Sequence, residues 1–459
     1  MNKKQFSRRS FVKSTALTGG VLLAPSFSLE AMANSSGNKK LKIAWVGCGG
    51  RGTGAAVQAL RADKDTELIA VADAFKDRLE SSLKAISEEL EGERIINVKE
   101  KNRFVGFNSY QNAIDKADVV ILTTPPGFRP LHFKYAIEND KHVFMEKPVA
   151  TDAIGVRQVL KSAKLAMKKN LNVVVGLQRR YQNSYNNTLG QINNNVVGKI
   201  VSGQVYWNSA GVWVNKRLPG QTEMEYQMRN WYYFNWLCGD HILEQHIHNI
   251  DVANWFIGEY PKSASGMGGR EVRNGIDHGE IFDHHFVEFK YPGGAVVSSQ
   301  CRHQPGTKYN VSEAFQGTKA NVVTSGDYCK IIDHNANDIF KHDPSNDKSP
   351  YQIEHDKLFA SIRNGGVIND AEYGAKSTLT AIMGRMATYT GKEITWEQAL
   401  NSKHVLVPSD LSWSSNPPTL PNEKGRYLIP KPGVTKINWI EKYNKLWDTH
   451  LKGSEKEAF

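Results

Sequence analysis

Cysteine is scarce in this sequence, with four residues in 459. Cys48, Cys238, Cys301 and Cys329 have spacings that fit neither a zinc ribbon nor a C-x-x-C redox motif, so both kinds of site are excluded. A Cys301–Cys329 disulfide is compatible with an oxidising compartment, but nothing else in the pattern supports it.

A long hydrophobic run and a long basic run are also missing. The apolar stretch 16–28 is too short, and too rich in Ser, Thr and Gly, to cross a membrane. The formal net charge is +11, but the basic residues are not gathered into one run, so no nucleic-acid partner is expected. No internal repeat is visible. A content of 40% hydrophobic and 23% charged residues is ordinary for a globular chain of two or more domains.

The first 33 residues have the pattern of an export signal. The twin arginine Arg8-Arg9 is followed by the modest apolar stretch 16–28 and then by Ala31-Met32-Ala33, which offers small residues for cleavage. No cysteine follows this point, so a lipid anchor is not indicated. We therefore expect export to the periplasm by the twin-arginine pathway, with membrane contact only during export.

A glycine-rich turn between two apolar runs organises the N-terminal half. The order is an apolar run at 41–46, Gly47-x-Gly49-x-x-Gly52, a helix-compatible segment at 53–62, and a second apolar run at 68–72. Gly47 permits a tight turn, Gly49 lets a pyrophosphate approach the backbone, and Gly52 lets the helix pack closely on the strand. The N–H groups at the start of that helix would bind the phosphates.

Asp73 ends the second apolar run at the spacing of a dinucleotide site. Its carboxylate is placed to accept hydrogen bonds from a ribose 2′-hydroxyl and would repel a 2′-phosphate. This favours NAD over NADP, although Lys76 and Arg78 lie close enough in sequence to serve a 2′-phosphate. Gly50 and Arg51, inside the turn, are further predicted cofactor contacts.

Residues 40–180 alternate short apolar runs with helical segments, as βαβ units do. The expected strands are 41–46, 68–72, 118–122, 142–145 and 172–177, and the clearest helices are 77–92 and 151–169. The fold class is therefore α/β. We predict an N-terminal Rossmann domain with a doubly wound parallel sheet and ligands at the carboxyl ends of its strands.

The pattern changes after residue 180. Strand-like stretches follow at 200–208, 280–291, 294–302 and 311–316, and helices are predicted at 239–256, 352–363 and 375–390. We predict a C-terminal α+β domain over 181–400 with a largely antiparallel open sheet. We expect the Pro-, Ser- and Asn-rich residues 401–459 to form an extension that wraps the surface or contacts another subunit.

Four short motifs together resemble the Gfo/Idh/MocA oxidoreductases, the relatives of glucose–fructose oxidoreductase and inositol dehydrogenase. They are the glycine turn, Thr123-Thr-Pro-Pro126, Glu146-Lys147-Pro148, and an acid-x-x-x-His pattern at Glu244 and His248. The resemblance spans residues 40–400. It implies hydride transfer at a sugar or polyol carbon, a nicotinamide cofactor that is held tightly in the exported branch, and a homo-oligomer.

The resemblance assigns catalytic roles to Lys147, His248 and Glu244. Lys147 would contact the reacting hydroxyl and the cofactor, where a cation favours an alkoxide-like oxygen. His248 would accept the hydroxyl proton, because histidine titrates near neutral pH. Glu244 replaces the family's aspartate, so its role, orienting His248 or binding a neighbouring hydroxyl, stays open. A surface lysine and a core histidine are the alternatives without function.

The remaining predicted contacts fall into two groups. The other cofactor contacts are Thr123, Pro125, His132, Glu146 and Lys147, and the substrate contacts are Arg180, Tyr181, Trp236 and Asp251. Aromatic faces with polar tips, as in the segment 230–236, suit a sugar ring. A structural salt bridge at Arg180 and simple core packing of the aromatic residues fit the sequence equally well.

The helix around Glu244 also permits a metal site. His241, Glu244 and His248 stand at i, i+3 and i+7, with Asp240, His246 and the acid-His-His run 283–285 as further donors. The spacing matches no specific signature, so we assign no metal.

The leading prediction is a periplasmic oxidoreductase that transfers a hydride between NAD and a hydroxyl carbon of a sugar or glycoside. The first alternative is an NAD-dependent glycosidase or lyase that acts by transient oxidation and elimination, without net change of the cofactor. The intact Glu146-Lys147-Pro148 element argues against it. The second alternative is a non-catalytic sugar- or nucleotide-binding module, against which the presence of both Lys147 and His248 argues.

Overall fold

The structure is a computed structural model that describes residues 39–408 and 411–436. The expected signal peptide, residues 1–33, and the end of the extension, residues 437–459, lie outside the described residues. Among the described residues, no helix combines the length and apolar character needed to cross a membrane. All four cysteines are buried and free, so the Cys301–Cys329 disulfide is not formed.

A parallel sheet of six strands forms the first half of the fold, in the order β3-β2-β1-β4-β5-β6. The strands are β1 Leu41–Val46, β2 Thr66–Asp73, β3 Arg103–Val105, β4 Val119–Leu122, β5 His142–Met145 and β6 Val173–Val175. The helices are α1 Gly50–Ala62, α2 Lys76–Glu89, α3 Ser109–Ile114, α4 Arg129–Glu138, α5 Ala153–Lys168 and α6 Asn183–Asn193. This confirms the doubly wound parallel sheet.

The second half contains a sheet of nine strands, in the order β14-β13-β12-β11-β7-β10-β9-β8-β15. Its strands are β7 Ile200–Ser209, β8 Ser263–Gly269, β9 His284–Lys290, β10 Val296–His303, β11 Asn310–Gly317, β12 Ala320–Ser325, β13 Tyr328–Asp333, β14 Asp338–Lys341 and β15 Ile394–Thr395. Only β7 and β10 pair in parallel among these described strands. The prediction of a largely antiparallel sheet is confirmed.

The predicted helix 239–256 starts at His241 and is interrupted at Gln245 and His246, so the expectation of one continuous helix is wrong. The helices of this half are α7 Glu223–Arg229, α8 Asn235–Cys238, α9 His241–Glu244, α10 Ile247–Ile257, α11 Pro350–Arg363, α12 Ala371–Thr390 and α13 Trp396–Leu400. Gly239 and Asp240 both have left-handed backbone, with φ of +78° and +74°, which ends α8. The Asp240 carboxylate then accepts the N–H of His241 and starts α9.

Helix α11 follows the second sheet in the chain but packs on the Rossmann domain. Leu358 and Phe359 are buried in the same apolar cluster as Val57 and Leu60 of α1. Beside them, Arg363 Nε donates to Asp63 Oδ2 at 2.6 Å. The Rossmann core is therefore completed by a helix that comes about 300 residues after α1.

Candidate active site

A cavity of about 480 Å³ lies at the carboxyl ends of β1, β2 and β4. This is where the strand order reverses, which is the position for ligands in open α/β sheets. One wall consists of the turn after β1, with Gly47, Gly49, Gly50, Arg51 and Gly52. The second half of the chain also contributes to the lining, with Trp213, Asn215, Met228 and Trp231.

The three glycines of the turn differ in backbone conformation and in surroundings. Gly47 has a φ of +100°. A Cβ at Gly52 would lie 2.2 Å from the carbonyl oxygen of Gly47, so only glycine fits there. A Cβ at Gly49 would have no atom within 4 Å, so the backbone there is open. Because Gly49 provides no side-chain cap to α1, the first N–H groups of the helix are available to an anion.

Asp73 lies at the end of β2, in the same cavity. Its Oδ2 accepts from the N–H of Cys48 at 2.6 Å and its Oδ1 from the N–H of Phe75 at 2.8 Å. Burial raises the pKa of this carboxyl. Together with the open backbone at Gly49, this carboxylate fits a dinucleotide, whose ribose hydroxyls would donate to it. Arg78 lines the same cavity, so a 2′-phosphate would also meet a cation.

The cavity continues along Thr123, Pro125 and His132, three of the residues predicted to contact the cofactor. Thr123 Oγ1 donates to the carbonyl of Gly47 at 2.6 Å and so holds the glycine turn. The ring of His132 stacks on Tyr110 at 4.2 Å. Burial, with the charge of Arg129, lowers the pKa of His132 to about 3, so this ring is neutral at pH 7.

Glu146 positions Arg51. Glu146 Oε1 lies 2.5 Å from Arg51 Nε, and Arg51 Nη2 lies 3.2 Å from Glu354 Oε1. Glu354 belongs to α11 and is fully buried. Burial and the charge of Glu146 raise the pKa of Glu354, and Arg51 opposes this shift. Glu354 was not predicted as a site residue, because it lies 303 residues after Arg51 in the chain.

Lys147 and Glu244 are in direct contact. Lys147 Nζ lies 3.1 Å from Glu244 Oε1 and also donates to the Glu244 carbonyl oxygen. Lys147 follows β5 and precedes a cis peptide bond to Pro148. The two side chains are 13% and 15% exposed, so the pair is largely desolvated. Burial raises the pKa of Glu244, and the Lys147 charge opposes this.

His248 is the second residue of the next helix, α10. Like Lys147 and Glu244, it does not line the cavity described above. Its ring stacks on Trp207 of β7 at 5.8 Å. Its Nδ1 is buried without a hydrogen-bond partner among the residues that the structure describes. Burial, then the charge of Lys147, holds the pKa of His248 well below its usual range. The ring is therefore neutral at pH 7 and able to accept a proton.

Arg180 and Asp251 form the salt bridge that was the alternative to substrate contacts. Arg180 Nε and Nη2 donate to the two carboxylate oxygens of Asp251 at 2.9 and 2.8 Å. Ser377 Oγ also donates to Asp251, at 2.7 Å. Asp251 is 1% exposed, and neither partner lines the cavity.

Two other predicted substrate residues are also held by protein contacts. The Tyr181 hydroxyl donates to Asp370 Oδ2 at 2.5 Å. Trp236 is 1% exposed, and its Nε1 donates to Gln227 Oε1 at 2.8 Å. The structure thus places Trp236 in the core. Trp231, in the same aromatic segment, lines the cavity instead. It was not predicted, because the aromatic content of this segment does not show which of its residues face the cavity.

The residues considered for a metal are not brought together as one set. Asp240, His241 and His285 have potential ligand atoms within 4.8 Å of one another. His241 Nδ1 lies 2.8 Å from Asp240 Oδ1, and His285 Nδ1 lies 2.9 Å from Thr388 Oγ1. Glu244 is instead paired with Lys147, because the helix is broken after Glu244.

Comparisons with known proteins agree with this architecture. Residues 41–177 match the oxidoreductase family with an NAD-binding Rossmann fold, and residues 191–323 match the GFO/IDH/MocA C-terminal domain. A 2,7-anhydro-N-acetylneuraminate hydratase of Escherichia coli is 26% identical over 45% of this chain and 50% of its own length. An inositol 2-dehydrogenase/D-chiro-inositol 3-dehydrogenase of Halalkalibacterium halodurans is 27% identical over 41% of this chain and 47% of its own. The chain thus spans about half the length of these curated relatives.

Solved structures with the same fold cover the chain more fully. The aldose-aldose oxidoreductase of Caulobacter crescentus, complexed with glycerol, has a TM-score of 0.60 at 17% identity, over 78% of this chain and 100% of its own. A levoglucosan dehydrogenase in complex with NADH and levoglucosan has a TM-score of 0.60 at 14% identity, over the same shares.

Proposed function

Because this chain belongs to the Gfo/Idh/MocA oxidoreductase family, we propose that it transfers a hydride between NAD and a hydroxyl carbon of a sugar or glycoside. The observation that carries the proposal is the Lys147–Glu244 ion pair after β5, with His248 close enough that the Lys147 charge lowers its pKa. Together these residues combine a desolvated cation with a neutral base, which are the two groups that oxidation of an alcohol requires.

Each of these residues has a part in the proposed reaction. His248 accepts the proton of the substrate hydroxyl, since its ring is neutral. Lys147 stabilises the negative charge that grows on that oxygen as the proton leaves. Glu244 holds the Lys147 ammonium in place, so the role proposed for it is positioning. The bound nicotinamide supplies the hydride acceptor.

The cofactor would lie along the wall described above. Its pyrophosphate would meet the open backbone at Gly49 and the start of α1, and its adenosine ribose would meet Asp73. We propose NAD rather than NADP because Asp73 disfavours a 2′-phosphate. We further propose that the cofactor stays bound during turnover, since free NAD is scarce outside the cytoplasm.

Export and assembly complete the proposal. The twin-arginine pattern at Arg8-Arg9 supports export to the periplasm as a folded protein. We propose a homo-oligomer formed through the open face of the second sheet, which would remove that face from solvent.

A second candidate function is cleavage or hydration of a glycoside by transient oxidation and elimination. The similarity to a hydratase favours it. The same Lys147 and His248 would serve, and the cofactor would show no net change.

One experiment separates these functions. The purified mature protein is given NAD and a panel of free sugars and aryl glycosides, and the absorbance of NADH and of released aglycone is recorded together. NADH without aglycone supports the dehydrogenase, and aglycone without net NADH supports the second candidate. No change with any substrate, although NADH binds, would contradict both.

A further inference from the structure

Two phenylalanines line the cavity beyond Asp73. Phe75 follows β2 and Phe107 follows β3, and both face the cavity. Under the proposed function, on which this inference rests, that end takes the adenosine half of the dinucleotide, because Asp73 would meet the adenosine ribose. Aromatic and apolar walls suit a purine ring.

Both phenylalanines are held from behind by a residue of the C-terminal extension. The ring of Trp413 lies 5.1 Å from Phe75 and 4.6 Å from Phe107, measured between centroids. Leu411 packs in the same cluster. Trp413 does not line the cavity itself, so its effect on a ligand passes through these two rings.

The second half of the chain closes the same end of the cavity. In α7, Arg229 makes two hydrogen bonds to the carboxylate of Asp77, at 2.8 and 3.0 Å. Its guanidinium also lies 3.9 Å from the ring centre of Phe75. The neighbouring residue, Met228, lines the cavity. Three distant parts of the chain therefore meet at Phe75.

We propose that residues 411–413 form a strap that keeps the adenosine end of the cofactor in place, and that Trp413 is a positioning residue that limits cofactor release. For the adenosine to leave, Phe75 and Phe107 must move, and each is held by its contact with Trp413. Loss of the Trp413 ring frees both side chains, so the dissociation rate rises while the contacts to pyrophosphate and ribose remain.

The test measures release of NADH. The protein is loaded with NADH, chased with excess NAD, and the decay of bound-NADH fluorescence is followed. We expect Trp413→Ala to release NADH about tenfold faster, equivalent to about 1.4 kcal/mol, and Trp413→Phe to lie between it and wild type. Leu420→Ala, at a 50% exposed position of the same extension, is the matched control and should match wild type.

A second probe separates positioning from general loosening. Reduced nicotinamide mononucleotide lacks the adenosine half, so its release should be the same in Trp413→Ala and wild type. If Trp413→Ala does not fold, Trp413→Phe and Arg229→Gln carry the test, and both should release NADH faster.

Three results would count against the strap. Release of NADH at the wild-type rate by folded Trp413 variants would overturn this inference alone, as would equal acceleration of mononucleotide release. A wild-type protein that binds neither NADH nor NADPH would overturn the proposed function, and the strap with it.

Discussion

At the scale of single residues, His248 depends on its surroundings for its proton affinity. Burial and the nearby Lys147 charge favour the neutral ring, so the pKa lies well below the usual value of about 6.5. A base must be unprotonated to work, and a lowered pKa keeps it so in more acidic solution. The acid limb of kcat/KM for sugar oxidation should therefore lie below about pH 6.5.

Two variants check this assignment. His248→Ala should lower kcat by about 10²- to 10⁴-fold with little change in NADH binding. Lys147→Gln removes one cause of the lowered pKa, so the acid limb should move up in pH, besides the loss of rate. An acid limb that stays in place in Lys147→Gln would show that His248 is not the group that titrates.

Asp73 sets the predicted preference between cofactors. Asp73→Asn removes the negative charge that disfavours a 2′-phosphate and one acceptor for the ribose hydroxyls. We expect NADH to bind about tenfold more weakly, a loss near 1.4 kcal/mol, and the preference over NADPH to shrink. Titrations followed by fluorescence would measure both dissociation constants. Glu67→Gln, at an exposed position of the same strand, should change neither, and equal losses in both variants would contradict the role of Asp73.

At the scale of elements, the glycine turn offers a matched pair of substitutions. Gly52→Ala places a Cβ 2.2 Å from the Gly47 carbonyl oxygen and 2.6 Å from Thr123 Oγ1, so it should lower the free energy of unfolding by about 1–3 kcal/mol. Gly49→Ala meets no protein atom within 4 Å and should keep the wild-type Tm. Its methyl group stands where a pyrophosphate would approach, so NADH affinity should fall.

Urea unfolding and NADH titration of both variants test this reading. A stable Gly49→Ala protein with wild-type NADH affinity would show that the pyrophosphate lies elsewhere.

The strands of the first sheet were predictable because they are buried on both faces. Ile43, Val120 and Val174 are fully buried, and such strands appear in sequence as continuous apolar runs. Strand β3 was missed because it has three residues and begins with Arg103. The break at Gln245 and His246 was missed because the apolar spacing continues across it.

The site residues also divide into those that belong to local sequence motifs and those that are placed by tertiary packing. The glycine turn, Asp73 and Lys147 belong to local motifs, and the structure brings them to strand ends as expected. Glu354 and Trp413 reach the site through distant packing, which no local pattern records. The role of Arg180 could not be predicted, because an arginine side chain suits a salt bridge and a substrate contact equally well.

At the scale of the whole molecule, Glu313 joins several elements. This fully buried carboxylate is paired with Arg179 and accepts from Tyr185, Asn249 and Thr324 at 3.0, 2.6 and 2.5 Å. Glu313→Ala leaves Arg179 buried without its partner, which should cost about 3–5 kcal/mol in the free energy of unfolding.

Urea denaturation measures that loss. Glu288→Ala, at an exposed position of the same sheet, should stay within about 0.5 kcal/mol of wild type. A similar, small effect of both substitutions would show that Glu313 does not link the two halves.

Helix α11 has a consequence for the order of events on the ribosome. The face of α1 that carries Val57 and Leu60 is covered by residues near 358, so the Rossmann domain emerges with that face bare. The central strand β7 likewise cannot pair until its two neighbours, β10 and β11, have been translated. Both halves can therefore complete folding only after most of the chain has been translated. Until then, the nascent chain exposes apolar surface to which chaperones bind.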